Sequence, residues 1–215
     1  MIKLSGRLNE LLKHLDGESV ADVGCDHGKI AVYCALKGKR TVATDISEQS
    51  LRKAEQLAKK HSVELKTVLC DGLTGLENGE VENVLIAGMG GIEIAKILSD
   101  GFAHNKKFNK YVLSPNSEAK AVREFLQTEK IGISRDYVIE DKNKFYSIIV
   151  AGDCDFKPFN EFELEFGTEY KTCDAGIKRL KKEYMQLKPI ADKLAGDSKR
   201  RFILLEKLNE IIRTE

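Results

Sequence analysis

No apolar run in these 215 residues approaches the roughly 20 needed to span a bilayer, so a transmembrane helix is not expected. The opening stretch, MIKLSGRLNELLKHL, mixes charges into its leucines and has no small-residue cleavage site, so it does not read as a secretion signal. A cytoplasmic address and no membrane partner are expected. Paired cysteines are missing as well. Cys25, Cys34, Cys70, Cys154 and Cys173 stand far apart without a CxxC, and no histidine lies at zinc-finger spacing. They read as reduced thiols, with no metal site expected. An excess of charge is also absent: 35 Lys and Arg face 34 Asp and Glu, so any basic surface for nucleic acid has to be local. The hydrophobic fraction of 42% and charged fraction of 32% describe a soluble globular chain, long enough for one ordinary domain and an appendage.

Leu4, Leu8, Leu11, Leu12 and Leu15 recur at helical spacing, which predicts an opening amphipathic helix. Short apolar runs then alternate with helical patterns. Strand-like runs are SVADV before Gly24, Thr41 to Thr44, Leu65 to Leu69, Val84 to Ala87 and Tyr111 to Leu113. Helical patterns cover Ile30 to Leu36, Glu48 to Lys60, Ile92 to Leu98 and Glu118 to Glu129, with Ser47 as an N-cap. Such alternation implies a parallel sheet covered by helices on both faces, an α/β Rossmann-like plan. Two further strands, Ile133 to Ile139 and Phe145 to Val150, flank the turn-like DKN at Asp141 to Asn143. A hairpin joins only antiparallel neighbours, so one strand should run against the sheet. Parallel strands closed by a hairpin are the class I methyltransferase plan.

From about Phe159 strand signals vanish. Ile177, Leu180, Tyr184, Leu187, Ala191 and Leu194 step by 3 and 4, AGDS at Ala195 to Ser198 breaks the pattern, and Phe202, Leu205, Leu208 and Ile212 resume it. This predicts a C-terminal helical hairpin, with Pro189 kinking or interrupting its first helix. Residues 1–157 are therefore assigned to a catalytic domain and 158–215 to a coiled-coil-like appendage.

The chemistry concentrates at loops that follow strands. In ADVGCDHG, Gly24 and Gly28 permit a sharp turn and close approach of a ligand to backbone and helix N-terminus. Asp26 occupies the place of the second glycine of a dinucleotide loop. Its charge repels phosphate and suits the ammonium and sulfonium of S-adenosylmethionine; an ordinary strand-to-helix turn would use the same glycines. Asp45, 17 residues after Gly28 at the end of the second strand, is placed to bind ribose hydroxyls, unless it only caps a helix. Asp71 and Gly72 after the third strand offer a carboxylate and an amide to an adenine, or form a plain Asp-Gly turn. Gly88, Met89, Gly90 and Gly91 leave bare backbone after the fourth strand, where Met89 packs on the cofactor or merely fills the core. Ser114, Pro115 and Asn116 end the fifth strand, and Asn116 has the donors and acceptor to read a base edge, a turn being the alternative.

With these residues the chain resembles the bacterial transfer-RNA adenine-22 N1-methyltransferase family. The likeness rests on SxRL at Ser5 to Leu8, DVGCDHG, the Cys70 to Leu73 segment, IAGMGG at Ile86 to Gly91 and the PN after strand five, departing from the family at Cys25 and Ser114. It implies S-adenosylmethionine held by Asp22, Gly24, Cys25, Asp26, Gly28, Asp45, Ile46, Asp71, Gly72, Gly88, Met89 and Gly90. It implies tRNA met by Arg7, Ser114, Pro115, Asn116 and the appendage. Methylation at N1 makes the adenine cationic, so Asp26 and the Asn116 carbonyl become stabilising acceptors and His27 can take the surplus proton from the exocyclic amine. A purely structural histidine remains the alternative. Residues 178–201 hold nine Lys or Arg against three acids, so Lys178, Lys181 and Lys182 can bind phosphates without reading sequence. The same helices can instead dimerise, and a monomer or weak dimer is expected. Competing functions are methylation of another RNA, a protein or a small molecule, an NAD-dependent oxidoreductase, and a cofactor-binding regulator without catalysis.

Overall fold

A computed structural model describes residues 2–193 and Asn209. In chain order it contains α1 (Gly6–Leu12), β1 (Ser19–Val23), α2 (Lys29–Leu36), β2 (Arg40–Asp45), α3 (Glu48–Lys60), β3 (Lys66–Leu69) and β4 (Asn83–Ala87). There follow α4 (Gly91–Ala103), β5 (Lys110–Ser114), α5 (Ala119–Thr128), β6 (Gly132–Asp141), β7 (Lys144–Gly152), α6 (Glu161–Phe166) and α7 (Asp174–Lys193). The strands form one seven-stranded sheet in the order β3-β2-β1-β4-β5-β7-β6. The first five in that order pair in parallel, and β7 runs antiparallel to both β5 and β6. Every strand-like run in the sequence is a strand, and the antiparallel member is β7.

Strand residues alternate between two buried faces. Ala21, Val23, Val84 and Ile86 meet Leu73, Ile94, Leu98, Val122 and Leu126 on one side. Val20, Leu85 and Val112 meet Leu11, Leu15, Ile30 and Cys34 on the other. Burial of both faces explains why these strands read as continuous apolar runs. The order of the sheet reverses between β1 and β4, which opens a crevice above their carboxyl ends. The β6–β7 turn places Lys142 and Asn143 at φ 52° and 62°, a two-residue turn whose left-handed pair matches the twist of a hairpin. A register irregularity between Ile133 and Arg135 bulges β6.

The C-terminal segment is anchored by a buried charge pair. Arg123 of α5 and Asp136 of β6 are both sealed from solvent, with Nε donating to Oδ2 at 2.8 Å and Nη2 to Oδ1 at 2.9 Å. Arg123 also donates to the carbonyls of Leu164 and Glu165 at 3.0 and 3.2 Å, while Asp136 accepts from the Thr168 amide at 3.3 Å. Phe166, Tyr170 and Leu180 bury one another above this pair, with Tyr184 partly buried beside them. The first part of the expected helical seam thus packs on α6, a short helix started by an Asn160–Glu163 capping box. Interruption at Pro189 does not occur: α7 runs through it to Lys193, since one missing donor in an exposed turn is carried by the turns on either side. Leu194, the AGDS break and the second helix of the expected hairpin, with Phe202, Leu205, Leu208 and Ile212, lie outside the described residues.

Removing one partner of a buried ion pair strands the other charge without water. Asp136→Ala should therefore lower the unfolding free energy by about 3–5 kcal/mol in urea denaturation. Replacing both members by apolar residues, Arg123→Met with Asp136→Leu, should recover much of that loss. A double variant as unstable as Asp136→Ala would show that the pair contributes net stability rather than a fixed geometry.

Candidate active site

The loop after β1 leaves the sheet at Gly24, at φ 69°, and its amide and that of Cys25 both donate to the Thr44 carbonyl, at 2.8 and 3.0 Å. These bonds tie the loop to the end of β2. The left-handed conformation is what favours glycine at position 24, and a Cβ there would also meet the flexible end of Met89, its Cε, at 1.8 Å. Asp26 adopts a left-handed conformation at φ 49°, which Asp tolerates better than most side chains. Gly28 is the N-cap of α2.

Carboxylates gather around this turn. Asp22 is buried, accepts the Ala31 amide at 3.2 Å, and is pushed up to about 7 by burial, with the charge of Asp45 adding to the rise. Asp45 accepts the Asp26 amide on one oxygen at 3.1 Å and the Ser47 amide on the other at 2.8 Å. It therefore braces the loops after β1 and β2, while Ser47, the N-cap of α3, accepts the Ser50 amide. Asp26 itself is exposed, and its Oδ2 lies 2.6 Å from His27 Nδ1. Cys25 is buried, and desolvation pushes its thiol up to about 12, which leaves it an unreactive wall rather than a nucleophile.

Across the crevice, Asn116 joins the β5 loop to the β4 loop. Its backbone amide donates to the Met89 carbonyl at 2.8 Å, and its Nδ2 donates to the Gly88 carbonyl. Arg7 donates from Nε to Ser114 Oγ at 2.9 Å, from Nη1 to Asn116 Oδ1 at 2.6 Å and from Nη2 to the Ser114 carbonyl. Ser114 and Pro115 are buried, so this pair supports the loop from beneath. A cleft of about 440 Å³ results, lined by Arg7, Leu8, Asp22, Gly24, Cys25, Asp26, His27, Lys29, Ile30, Ala87, Gly88 and Met89.

The other residues singled out in the sequence lie around this cleft or away from it. Gly90 is the N-cap of α4. Ile46 is 75% exposed beside Asp45, an apolar surface at the carboxyl edge of the sheet. The Cys70 amide donates to the Asp45 carbonyl at 3.1 Å and brings the β3 loop, with exposed Asp71, to that edge. Gly72 sits at φ 58°, a left-handed conformation that favours glycine, and a Cβ there would also lie 2.7 Å from Ile97 Cγ2. Lys178 pairs with Glu140 at 3.0 Å, and Lys182 lies 5.7 Å over the Phe145 ring, so both touch the β6–β7 hairpin. Lys181 is exposed on the same helix. Lys29 and Tyr146, whose ring lies 4.3 Å beneath the Arg7 guanidinium, carry no signal in the sequence, and Leu8 and Ala87 stand there only as members of SxRL and IAGMGG. Only SxRL pointed toward this corner, because contacts between positions 7, 114 and 146 leave no local pattern.

Bare glycine backbone and three carboxylates at the switch point of a sheet closed by an antiparallel strand define a class I methyltransferase. A methyltransferase-domain family model matches residues 4–149. The tRNA (adenine(22)-N(1))-methyltransferase of Bacillus subtilis is 31% identical over 161 residues, spanning 72% of this chain and 68% of that protein. The crystal structure of the B. subtilis M1A22 tRNA methyltransferase TrmK superposes with a TM-score of 0.81 at 26% identity, covering 99% of this chain and 96% of that one. M. capricolum TrmK, solved in complex with S-adenosyl-homocysteine, shares the fold with a TM-score of 0.85 at 24% identity, covering 98% and 96%. The chain belongs to the tRNA (adenine(22)-N(1))-methyltransferase family.

Asp22 yields a pH test with a defined sign. Its folded pKa of about 7 stands above the ordinary 3.8, so the stability it contributes is full below about pH 4 and is lost as pH rises to about 7. Asp22→Asn should remove this loss. The stability of the variant relative to the wild type, read by urea denaturation, should rise by several kcal/mol from about pH 4 to about pH 8, because each tenfold difference in proton affinity between the folded and unfolded chain is worth about 1.4 kcal/mol. A difference that stays constant with pH would place a charged, solvated carboxylate at position 22.

Proposed function

We propose that this chain transfers a methyl group from S-adenosylmethionine to N1 of adenine 22 in tRNA. The observation that carries the reading is the cleft itself, where Asp22 and Asp26 stand beside the Gly24 and Gly88 backbone, with Asp45 bonded to the Asp26 amide, so that carboxylates and not cations would meet a pyrophosphate. The donor set fits a cofactor with a cationic amino-acid end and a ribose, which disfavours the NAD reading. Gly24, Cys25, Asp26 and Gly28 hold the methionine end, with Asp22 behind them and Met89 beside the sulfonium. Asp45 binds the ribose, Ile46 packs against the adenine, and Asp71 with Gly72 reads its edge. Gly88 and Gly90 keep the facing backbone bare. Bound S-adenosylmethionine supplies an electrophilic methyl group on a positively charged sulfur.

The residues of this chain then have to orient the acceptor and receive its charge. N1 of adenine already carries a lone pair, so alignment rather than a strong base supplies most of the rate, and orientation contributes roughly 7–11 kcal/mol in favourable cases. N1 lies on the Watson–Crick edge, so the base must be unpaired or flipped into the cleft. Asn116, exposed at the rim, holds the base there. The Asp26 carboxylate stabilises the positive charge that passes to the ring. His27, hydrogen-bonded through Nδ1 to Asp26, keeps Nε2 free to take the exocyclic proton.

The RNA extends onto α7. Lys178, Lys181 and Lys182 are exposed there, and the contacts of Lys178 with Glu140 and of Lys182 with Phe145 orient the basic face rather than remove it. Residues 1–157 act as the catalytic domain and 158–215 as an RNA-holding arm. Among the described residues no helix is long and apolar enough to cross a membrane, and we assign the enzyme to the cytoplasm as a monomer or weak dimer. A cut near Phe156 would strip Arg123 of its two carbonyl acceptors, so charge reversal of these lysines tests the arm more cleanly than truncation.

Tritium from labelled S-adenosylmethionine should enter tRNA carrying adenine at position 22 and not tRNA with that base replaced. Labelling of protein or metabolite pools instead would overturn the proposal. Asp45→Ala should weaken cofactor binding in calorimetry by about 1.5–3 kcal/mol, and unchanged affinity would displace the ribose from this pocket.

A further inference from the structure

An arginine that meets RNA phosphate keeps its N–H fork for the ligand, whereas Arg7 spends three of its five N–H groups on protein acceptors. It is only 8% exposed. Nε, Nη1 and Nη2 each have an acceptor, on Ser114 or Asn116, and the guanidinium lies 4.3 Å from the Tyr146 ring centroid. Even its backbone amide is used, donating to Asp141 Oδ2 at 3.2 Å. The side chain is held between α1, the end of β5 and the β6–β7 hairpin.

What Arg7 holds in turn is an amide. A guanidinium only donates and a carbonyl only accepts. The Asn116 side chain stands between one of each, with Oδ1 accepting from Arg7 and Nδ2 donating to the Gly88 carbonyl. Rotating that amide by half a turn would set donor against donor and acceptor against acceptor. One orientation is therefore fixed by chemistry, and the Asn116 backbone is fixed as well through its bond to Met89. After these bonds the amide retains one N–H and one oxygen lone pair. That pair complements the ring N7 and exocyclic N–H of adenine, whose recognition by asparagine leaves N1 unused, whereas guanine offers two acceptors on the same edge.

We propose that Arg7 is a positioning residue that sets the specificity of the acceptor site: it locks the Asn116 amide in the one order that reads adenine. The proposal rests on the acceptor being adenine, as argued above. It assigns to Arg7 no contact with RNA.

The test combines Arg7→Met, Arg7→Lys, Asn116→Ala and the Arg7→Met/Asn116→Ala double variant in tRNA methylation assays with cofactor titrations. Each single variant should lower kcat about tenfold or more while the Kd for S-adenosylmethionine stays within about twofold. Lysine should fail to rescue, because an ammonium cannot fork between Ser114 and Asn116. The double variant should be no slower than Asn116→Ala, since the two residues act as a unit. Losses that multiply in the double variant, or a parallel fall in cofactor affinity, would overturn the proposal. The Asn116 side-chain amide resonances in nitrogen-edited NMR, assigned by their absence in Asn116→Ala, report the lock without turnover. Their exchange with water should rise about tenfold or more in Arg7→Lys, and unchanged exchange would sink the lock. A wild-type chain that shows the lock but leaves tRNA unlabelled would refute the functional reading alone.

Discussion

A guanidinium and a carboxylate, both removed from water, sit where α5, β6 and the C-terminal segment meet, and the path of the chain beyond the sheet depends on them. Desolvating two charges is costly, and a bidentate geometry with additional hydrogen bonds is what makes it tolerable. Arg123 and Asp136 obtain those bonds from backbone on the far side, at Leu164, Glu165 and Thr168. Ser147 of β7 accepts one further bond at 3.3 Å, and the C-terminal segment satisfies the rest. Arg135 adds an exposed fork to Glu169 at 3.0 Å, and half-buried Arg179 lies against Phe166 and the Glu165 carbonyl, where loss of water lowers its pKa. Several of the cations nearest the body are therefore committed to docking. The same contacts hold the start of α7 against α6 and β6.

The cleft follows from a different constraint, the reversal of strand order between β1 and β4. Two loops diverge there, and each is tied to its neighbour rather than left to itself: the first to β2 through Thr44 and Asp45, the second to β5 through Asn116. Met89 closes the gap between them over Gly24. Preorganisation of this kind matters for a displacement reaction, in which alignment rather than base strength sets the rate.

Much of this was legible in the sequence because it is local. Strand, glycine break and helix recur in order, and the acid at position 45 falls at the end of its strand as the spacing requires. The DKN turn announced the hairpin, since Lys142 and Asn143 take the left-handed pair such a turn needs. What could not be read were relations between distant segments. Arg7 was assigned to substrate on a motif likeness alone, and nothing in a one-dimensional pattern shows it buried against Ser114, Asn116 and Tyr146. Gly72 also packs closely on the side chain of Ile97, a contact that no spacing announces. Lys178 and Lys182 lie on a basic stripe, and only the fold reveals that Glu140 and Phe145 stand opposite them.

The bulge in β6 bears on how this protein behaves when concentrated. An open sheet ends in two strands whose outer backbone groups can recruit a neighbouring chain. Here one border, β3, is only four residues long and begins with Lys66, which is paired to Glu80. The other border, β6, is ten residues long and would be the more dangerous template. Its pairing register breaks between Ile133 and Arg135, and Arg135, Glu140 and Asp141 set charges along it. A strand that is bent and charged along its length is a poor surface for edge-to-edge growth. Glu169 also covers the middle of β6, donating its amide to the Asp136 carbonyl at 2.9 Å and accepting the Asp136 amide at 2.8 Å, so the border offers a neighbouring chain little to extend.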